Sequence, residues 1–274
     1  MSVEENMRIA KAPLSTGVQL HYAEQGDRSG EAIVFLHGYT DSWLSFRSVL
    51  PLLSPSYHAF ALSERGHGAS DKPECCYTLD DFAADIDAFM EAVGIEEATL
   101  VGASGGSFMA QRATLDYPHR VSRLVLISSA ATLLDNAAVM GLGEEMLALE
   151  DPISPEFVRE WQEVNVYQTV PDQFFEKMIS ESLKIPARVW RDYWEGAVLA
   201  PDHASRLPEI EAPTLIIWGD KDAVFSREDP ERLAGTIPGA TLKVYPETGH
   251  AVHWERPERF ARDLEEFMKG TRAA

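Results

Sequence analysis

Thr99-Leu-Val-Gly-Ala-Ser-Gly-Gly-Ser107 is the stretch on which the fold of this chain turns. Ala98-Thr-Leu-Val101 is a continuous apolar run, the pattern of a strand covered on both faces. A helix-period segment over 105–116 follows it directly. Between the two stands Gly102-x-Ser104-x-Gly106, and Ala103 and Gly105 are small as well. Only small residues fit a turn that reverses from strand to helix in so few residues. Such an elbow leaves the Ser104 hydroxyl exposed at the strand tip. It also aims the next helix's N-terminal amides and dipole at whatever reacts there.

The rest of the chain supplies matching parts. Arg8–Leu14 and Val18–Ala23 are strand-like around Ser15-Thr16-Gly17. Buried-strand runs recur at 32–36, 59–62, 124–127 and 214–218, with a last strand at 241–245. Helical segments alternate with them, the clearest starting at Thr78. There Thr78-Leu-Asp-Asp81 makes a capping box, Phe82, Ile86, Phe89 and Val93 share a face, and Gly94 ends the helix. This alternation predicts an α/β chain: a doubly wound, mostly parallel sheet of eight strands. It breaks only after the sixth strand, where 136–149, 155–165, 172–184 and 187–199 all read as helix. The expected organisation is a core domain, 1–131 and 208–274, with a helical cap, 132–207, inserted between them.

A serine hydroxyl needs a base, itself oriented by an acid. Trp218-Gly-Asp-Lys-Asp222 leaves a buried strand with two carboxylates, and Glu247-Thr-Gly-His250 follows the final strand. The chain order is therefore Ser, Asp, His. With Phe35-Leu-His-Gly38, Glu64-Arg-Gly-His-Gly-Ala-Ser-Asp-Lys-Pro73 and Trp254-Glu-Arg-Pro257, the chain resembles the α/β-hydrolase fold superfamily over nearly its whole length, in its capped bacterial esterase-like branch. The resemblance implies Ser104 as nucleophile, Asp222 as acid in preference to Asp220, and His250 as base. It implies the backbone amides of Tyr39 and Gly105 as the oxyanion hole. Relatives that form alkyl esters carry Asp at the elbow, so Ser104 favours acyl chemistry: a cofactor-free serine hydrolase of a carboxylic ester or lactone. The alternatives are carbon–carbon bond hydrolysis, perhydrolase or haloperoxidase chemistry on the same triad, and a non-catalytic ligand-binding relative.

Three positions depart from the family pattern: Ser63 for Asp before Arg65-Gly-His-Gly, Ala103 for His before the nucleophile, and Ser107 for a second glycine. His37 and His67 read as turn residues. His253, three residues after His250, lacks a third partner at metal-binding spacing, so no metal is expected. Glu255 is expected to order the loop after His250.

Composition narrows the partners. The 24 basic and 44 acidic residues leave a formal charge of −20, which repels phosphate backbones and anionic membrane surfaces. No run approaches the roughly 18 apolar residues of a membrane helix. Met1–Pro13 contains no apolar signal core, so a cytoplasmic protein is expected. Cys75 and Cys76 are neighbours, which argues against an ordinary disulfide and for a reducing compartment. The cap carries aromatic faces: Trp190, Tyr193 and Trp194 at i, i+3 and i+4, and Phe174, Phe175 and Met178 one helix earlier. Some of these are expected to line an apolar pocket above Ser104. The substrate expected is a neutral, hydrophobic small molecule.

Overall fold

The computed structural model describes residues 7–199 and 203–270. The first half of the N-terminal stretch read above, 1–6, and residues 200–202 of the expected cap lie outside them. Eight strands form one sheet in the order β1-β2-β4-β3-β5-β6-β7-β8. They are β1 (Arg8–Pro13), β2 (Gln19–Gly26), β3 (Ala32–Leu36), β4 (His58–Ser63), β5 (Ala98–Ala103), β6 (Val121–Ile127), β7 (Thr214–Gly219) and β8 (Thr241–Tyr245). Only β2 runs against its neighbours, pairing antiparallel with β1 and β4; every other pairing is parallel. The β1–β2 pairing is antiparallel because the Ser15-Thr16-Gly17 turn that joins them is too short for a parallel crossover.

Side chains alternate across the sheet, and both faces are covered. Val34, Leu36, Leu100, Leu124 and Leu126 pack on one side with Phe82, Ile86 and Phe89 of α1 (Leu79–Val93) and Met109 of α2 (Gly105–Asp116). Ile33, Phe35, Val101, Val125 and Ile217 pack on the other with Phe260 and Leu264 of α10 (Pro257–Met268). Burial on both faces is why these strands read as unbroken apolar runs. The α1 terminus is capped reciprocally: Thr78 Oγ1 accepts from Asp81 N, the Asp81 carboxylate accepts from Thr78 N, and Gly94 closes the helix at φ 74°.

Between β6 and β7 lie α3 (Ala137–Gly141), α4 (Gly143–Leu147), α5 (Pro155–Glu163), α6 (Asp172–Ser182) and α7 (Ala187–Tyr193). A π-helical turn, Trp194–Val198, continues α7. These helices rest on the loops at the C-terminal ends of β3 and β4. Gln162 donates to Asp41, Ser182 to the Thr40 carbonyl, and Tyr39 to the Trp190 carbonyl. Beyond β7 come α8 (Glu228–Thr236) and the short α9 (Val252–Glu255).

One expectation is overturned. Cys75 and Cys76 are bonded to each other despite being adjacent, with the chain turning through a left-handed Cys76 at φ 76°. The turn brings together two side chains that an extended backbone would point apart.

Candidate active site

The site forms where strand order reverses. β3 lies between β4 and β5, and Leu36 at its end is in register with Gly102. Crevices at such switch points, beyond the carboxyl ends of the strands, are where open α/β sheets bind ligands. Ser104 sits there at φ 48°, ψ −118°, a conformation that costs a non-glycine residue energy and that the surrounding packing must enforce. A Cβ on Gly102 would come within 2.6 Å of Ser107 Cα, and one on Gly106 within 2.5 Å of the Leu36 carbonyl oxygen. The small residues are therefore a steric necessity.

The departures from the family pattern are accommodated locally. Ser107 is buried away from the cavity, donating to the Ser104 carbonyl at 2.5 Å, with Ser129 Oγ 2.7 Å away. Ser63 accepts from Trp43 N through its hydroxyl and from Ser70 Oγ through its carbonyl.

Asp222 and His250 come together from loops 28 residues apart. Both Asp222 oxygens lie 2.9 Å from His250 Nδ1, and Oδ1 also accepts from the amides of Val224 and Phe225. The carboxylate is wholly buried. It fixes the tautomer, placing the proton on Nδ1 and leaving Nε2 as the basic atom. Asp220 instead points to the Lys221 ammonium, 3.9 Å away. The histidine loop is held from several sides. Ser128 Oγ donates to the His250 carbonyl, and Glu255 accepts from Gly249 N and from Tyr167 N.

Ser104, His250, Tyr39 and Gly105 share one cavity of about 280 Å³. Its walls are mostly apolar, including Phe108, Val139, Met146, Phe157, Trp161 and Phe225. Of the aromatic candidates from the cap, Tyr193 and Trp194 reach this cavity. Trp190, Phe174, Phe175 and Met178 are not among its lining residues. Trp190 is fully buried behind the wall against Tyr39 and Trp161. Phe174 packs edge-on to Trp254, and Phe175 and Met178 join it in a separate apolar cluster with Val170. Helical spacing assigned these side chains to a face but could not say which turn of that face overlies Ser104.

Sequence reading missed Asp41, Asn165 and Phe225. A smaller recess of about 40 Å³ adjoins Ser104 and His250, lined by Gly38, Asp41, Asn165 and Trp254 among others. Burial pushes the Asp41 carboxyl up to about 7, opposed by hydrogen bonds from Gln162 and Ser45. Position four after His37 was the only available signal for it. A larger cleft, about 830 Å³, opens beside Arg8, Glu24 and His58 at the β1–β2 edge, and none of the triad candidates lines it.

His37, His67 and His253 are buried, and that burial disfavours their charged forms. Burial drives His67 down to about 4 and His253 to about 3. His253 Nε2 lies 2.9 Å from Ser45 Oγ, and its ring stacks on Phe46. His37, Glu64 and His67 bring three donor atoms within 4.8 Å of one another. Both His37 nitrogens already have backbone partners, with Nδ1 at the Gly38 carbonyl and Nε2 accepting from Glu64 N. A metal there would have to displace one of these bonds.

A family model for the alpha/beta hydrolase fold matches residues 31–257. The chain belongs to that family. Among curated relatives of this α/β-hydrolase is the 2-hydroxy-6-oxononadienedioate/2-hydroxy-6-oxononatrienedioate hydrolase of Burkholderia vietnamiensis. It is 30% identical over 272 residues, which cover 93% of this chain and 92% of that protein. An esterase from Exiguobacterium antarcticum superposes with a TM-score of 0.85 at 24% identity, covering 95% of this chain and 99% of its own. A meta-cleavage product hydrolase from Pseudomonas fluorescens gives 0.81 at 27% identity, over 95% and 98%. This α/β-hydrolase is built on an eight-stranded, mostly parallel sheet, and among its described residues no helix is long and apolar enough to cross a membrane.

Proposed function

We propose that this α/β-hydrolase is a serine hydrolase that cleaves a neutral, hydrophobic carboxylic ester or lactone. His250 Nε2 takes the proton of Ser104 as Oγ attacks the carbonyl carbon, and Asp222 stabilises the resulting imidazolium. The amides of Tyr39 and Gly105 hold the oxyanion. His250 then protonates the departing alkoxide, and water hydrolyses the acyl-enzyme by the same route in reverse. The helices between β6 and β7 serve as the lid that encloses the acyl group.

One observation carries the choice of substrate. The cavity that holds Ser104 is lined mostly by aromatic and aliphatic side chains and, among the described residues, by no Lys or Arg; its acidic wall residues are Glu145 and Glu160. A second reading, carbon–carbon bond hydrolysis, is favoured by the Burkholderia relative, whose substrate is by name a dicarboxylate. Two carboxylates entering this cavity would meet two glutamates and no cation, which disfavours that substrate here.

The test is a matched panel of neutral aryl esters, lactones, their carboxylate-bearing analogues and vinylogous diketones, each run with wild type and Ser104→Ala. Neutral esters are expected to have the highest kcat/KM. Ser104→Ala is expected to lose turnover and labelling by a fluorophosphonate, with unchanged folding. A preference for the anionic members at low salt, or turnover that survives Ser104→Ala, refutes the reading.

A further inference from the structure

Tyr193 is the last residue of α7, and its hydroxyl lies over the elbow. A Cβ placed on Gly105 would overlap the Tyr193 hydroxyl oxygen and stand 3.1 Å from Tyr39 N. The phenol therefore lies beside the two amides expected to hold an oxyanion, in the cavity that contains Ser104. The residue is 1% exposed. Tyr39, whose ring lies 4.5 Å from that of Tyr193, spends its own hydroxyl on the Trp190 carbonyl. Among the described residues the Tyr193 hydroxyl makes no comparable bond, and it faces the cavity, so its partner is a group that enters there.

The packing also fixes where this hydroxyl can go. Val189, one turn earlier on α7, fits against Gly66 so closely that a Cβ there would come within 2.6 Å of Val189 Cγ1. Arg188 donates to the carbonyls of Lys72 and Pro73, at 2.6 Å each. On the other side, Gly196 in the π-turn approaches the Tyr77 carbonyl, where a Cβ would lie 2.7 Å from the oxygen. Tyr193 is thus clamped from both directions along the chain onto the loop 66–78. A donor held rigidly in a dry site is worth far more to a developing charge than one that must reorient.

We propose that Tyr193 is a catalytic residue: its phenol O–H is a third oxyanion-hole donor, delivered by the inserted helices to the tetrahedral intermediate beside the amides of Tyr39 and Gly105. No proton is transferred; the O–H donates a hydrogen bond to the negative oxygen and withdraws as the carbonyl reforms. Burial holds the phenol well above its ordinary range, so it remains a donor throughout the working pH range. The cavity is then completed by a residue of the lid, and acyl transfer depends on α7 being seated.

The inference rests on the acyl-serine reading, and the experiment separates the two. Tyr193→Phe preserves the ring and its packing. It is expected to lower kcat for p-nitrophenyl butyrate by about 10²-fold, the scale of losing one oxyanion donor, with little change in KM. Affinity for a boronic acid, which mimics the tetrahedral adduct, should fall by a similar factor, while thermal stability stays at the wild-type value. Wild-type enzyme that fluorophosphonate fails to label at Ser104 overturns the acyl-serine reading and this inference with it. Normal labelling of wild type with kcat unchanged or raised in Tyr193→Phe overturns this inference alone, leaving the phenol as packing or as a plug.

Discussion

Two carboxylates two residues apart in the loop after β7 have different environments, and geometry decides between them. Asp222 is enclosed, with both oxygens against the His250 ring, while Asp220 is half open and faces a lysine. Asp222→Asn would present an amide to Nδ1 and favour the wrong imidazole tautomer. Its turnover is expected to fall by about 10⁴, as for the corresponding substitution in a serine protease. Asp220→Asn should cost less than about tenfold by the same reasoning, since it leaves the tautomer intact. Steady-state kinetics of the two variants on one aryl ester settle the matter, and a reversed ranking would remove Asp222 from the triad.

At the scale of elements, the π-turn at Trp194–Val198 does what a regular helix end would not. Leu199 N reaches back five residues to the Trp194 carbonyl, and Tyr193 and Trp194, which lead into this turn, both line the cavity. Such turns often mark functional positions. Gly196→Ala would force the turn away from Tyr77, because the new Cβ meets backbone that cannot give way easily. We expect a loss of roughly 1–3 kcal/mol of stability, the usual range for overpacking. We also expect a fall in kcat larger than any rise in KM, as the Tyr193 hydroxyl moves. Urea melts and ester kinetics on the same preparation check both; full kcat with the stability loss would show the turn to be structural only.

For the molecule as a whole, buried titratable groups set the acid and alkaline limits. His67 and His253 are held to about 4 and about 3 in the folded state, while an unfolded histidine titrates near 6.5. From pH 6.5 down to about 4 the unfolded chain binds protons that the folded chain refuses. Stability is therefore full above 6.5 and falls through that window, by about 1.4 kcal/mol per pH unit for each group. Glu64 acts on the other side. Burial raises its carboxyl well above 4.5, so the folded chain keeps a proton that the unfolded chain releases, and stability falls as pH rises above 4.5. Melting temperatures across pH 4–8 should show Glu64→Gln gaining on wild type as pH rises and matching it at pH 4. A constant offset between the two would mean that Glu64 acts through packing and not through its proton.

Much of this was legible in the order of residues. Strands buried on both faces announce themselves as unbroken apolar runs, and the α1 cap at Thr78 and Asp81 is written in local hydrogen-bonding chemistry. The elbow is equally local, because Gly102 and Gly106 leave no room for a Cβ. Long-range placement is different. Nothing in the spacing of Trp190, Tyr193 and Trp194 says that the first is buried behind Tyr39 while the other two face Ser104, since a helical period defines a face and not its partner. Asp41 could not be singled out, because its burial is created by Gln162 and Ser45 arriving from elsewhere in the chain. The Cys75–Cys76 bond likewise depends on a left-handed turn that sequence proximity alone argues against. The sequence by itself determined the sheet, the elbow and the chain order of Ser104, Asp222 and His250, all properties of short segments. Only the tertiary structure decided which residues between β6 and β7 face Ser104, because contacts between distant segments depend on how whole elements dock.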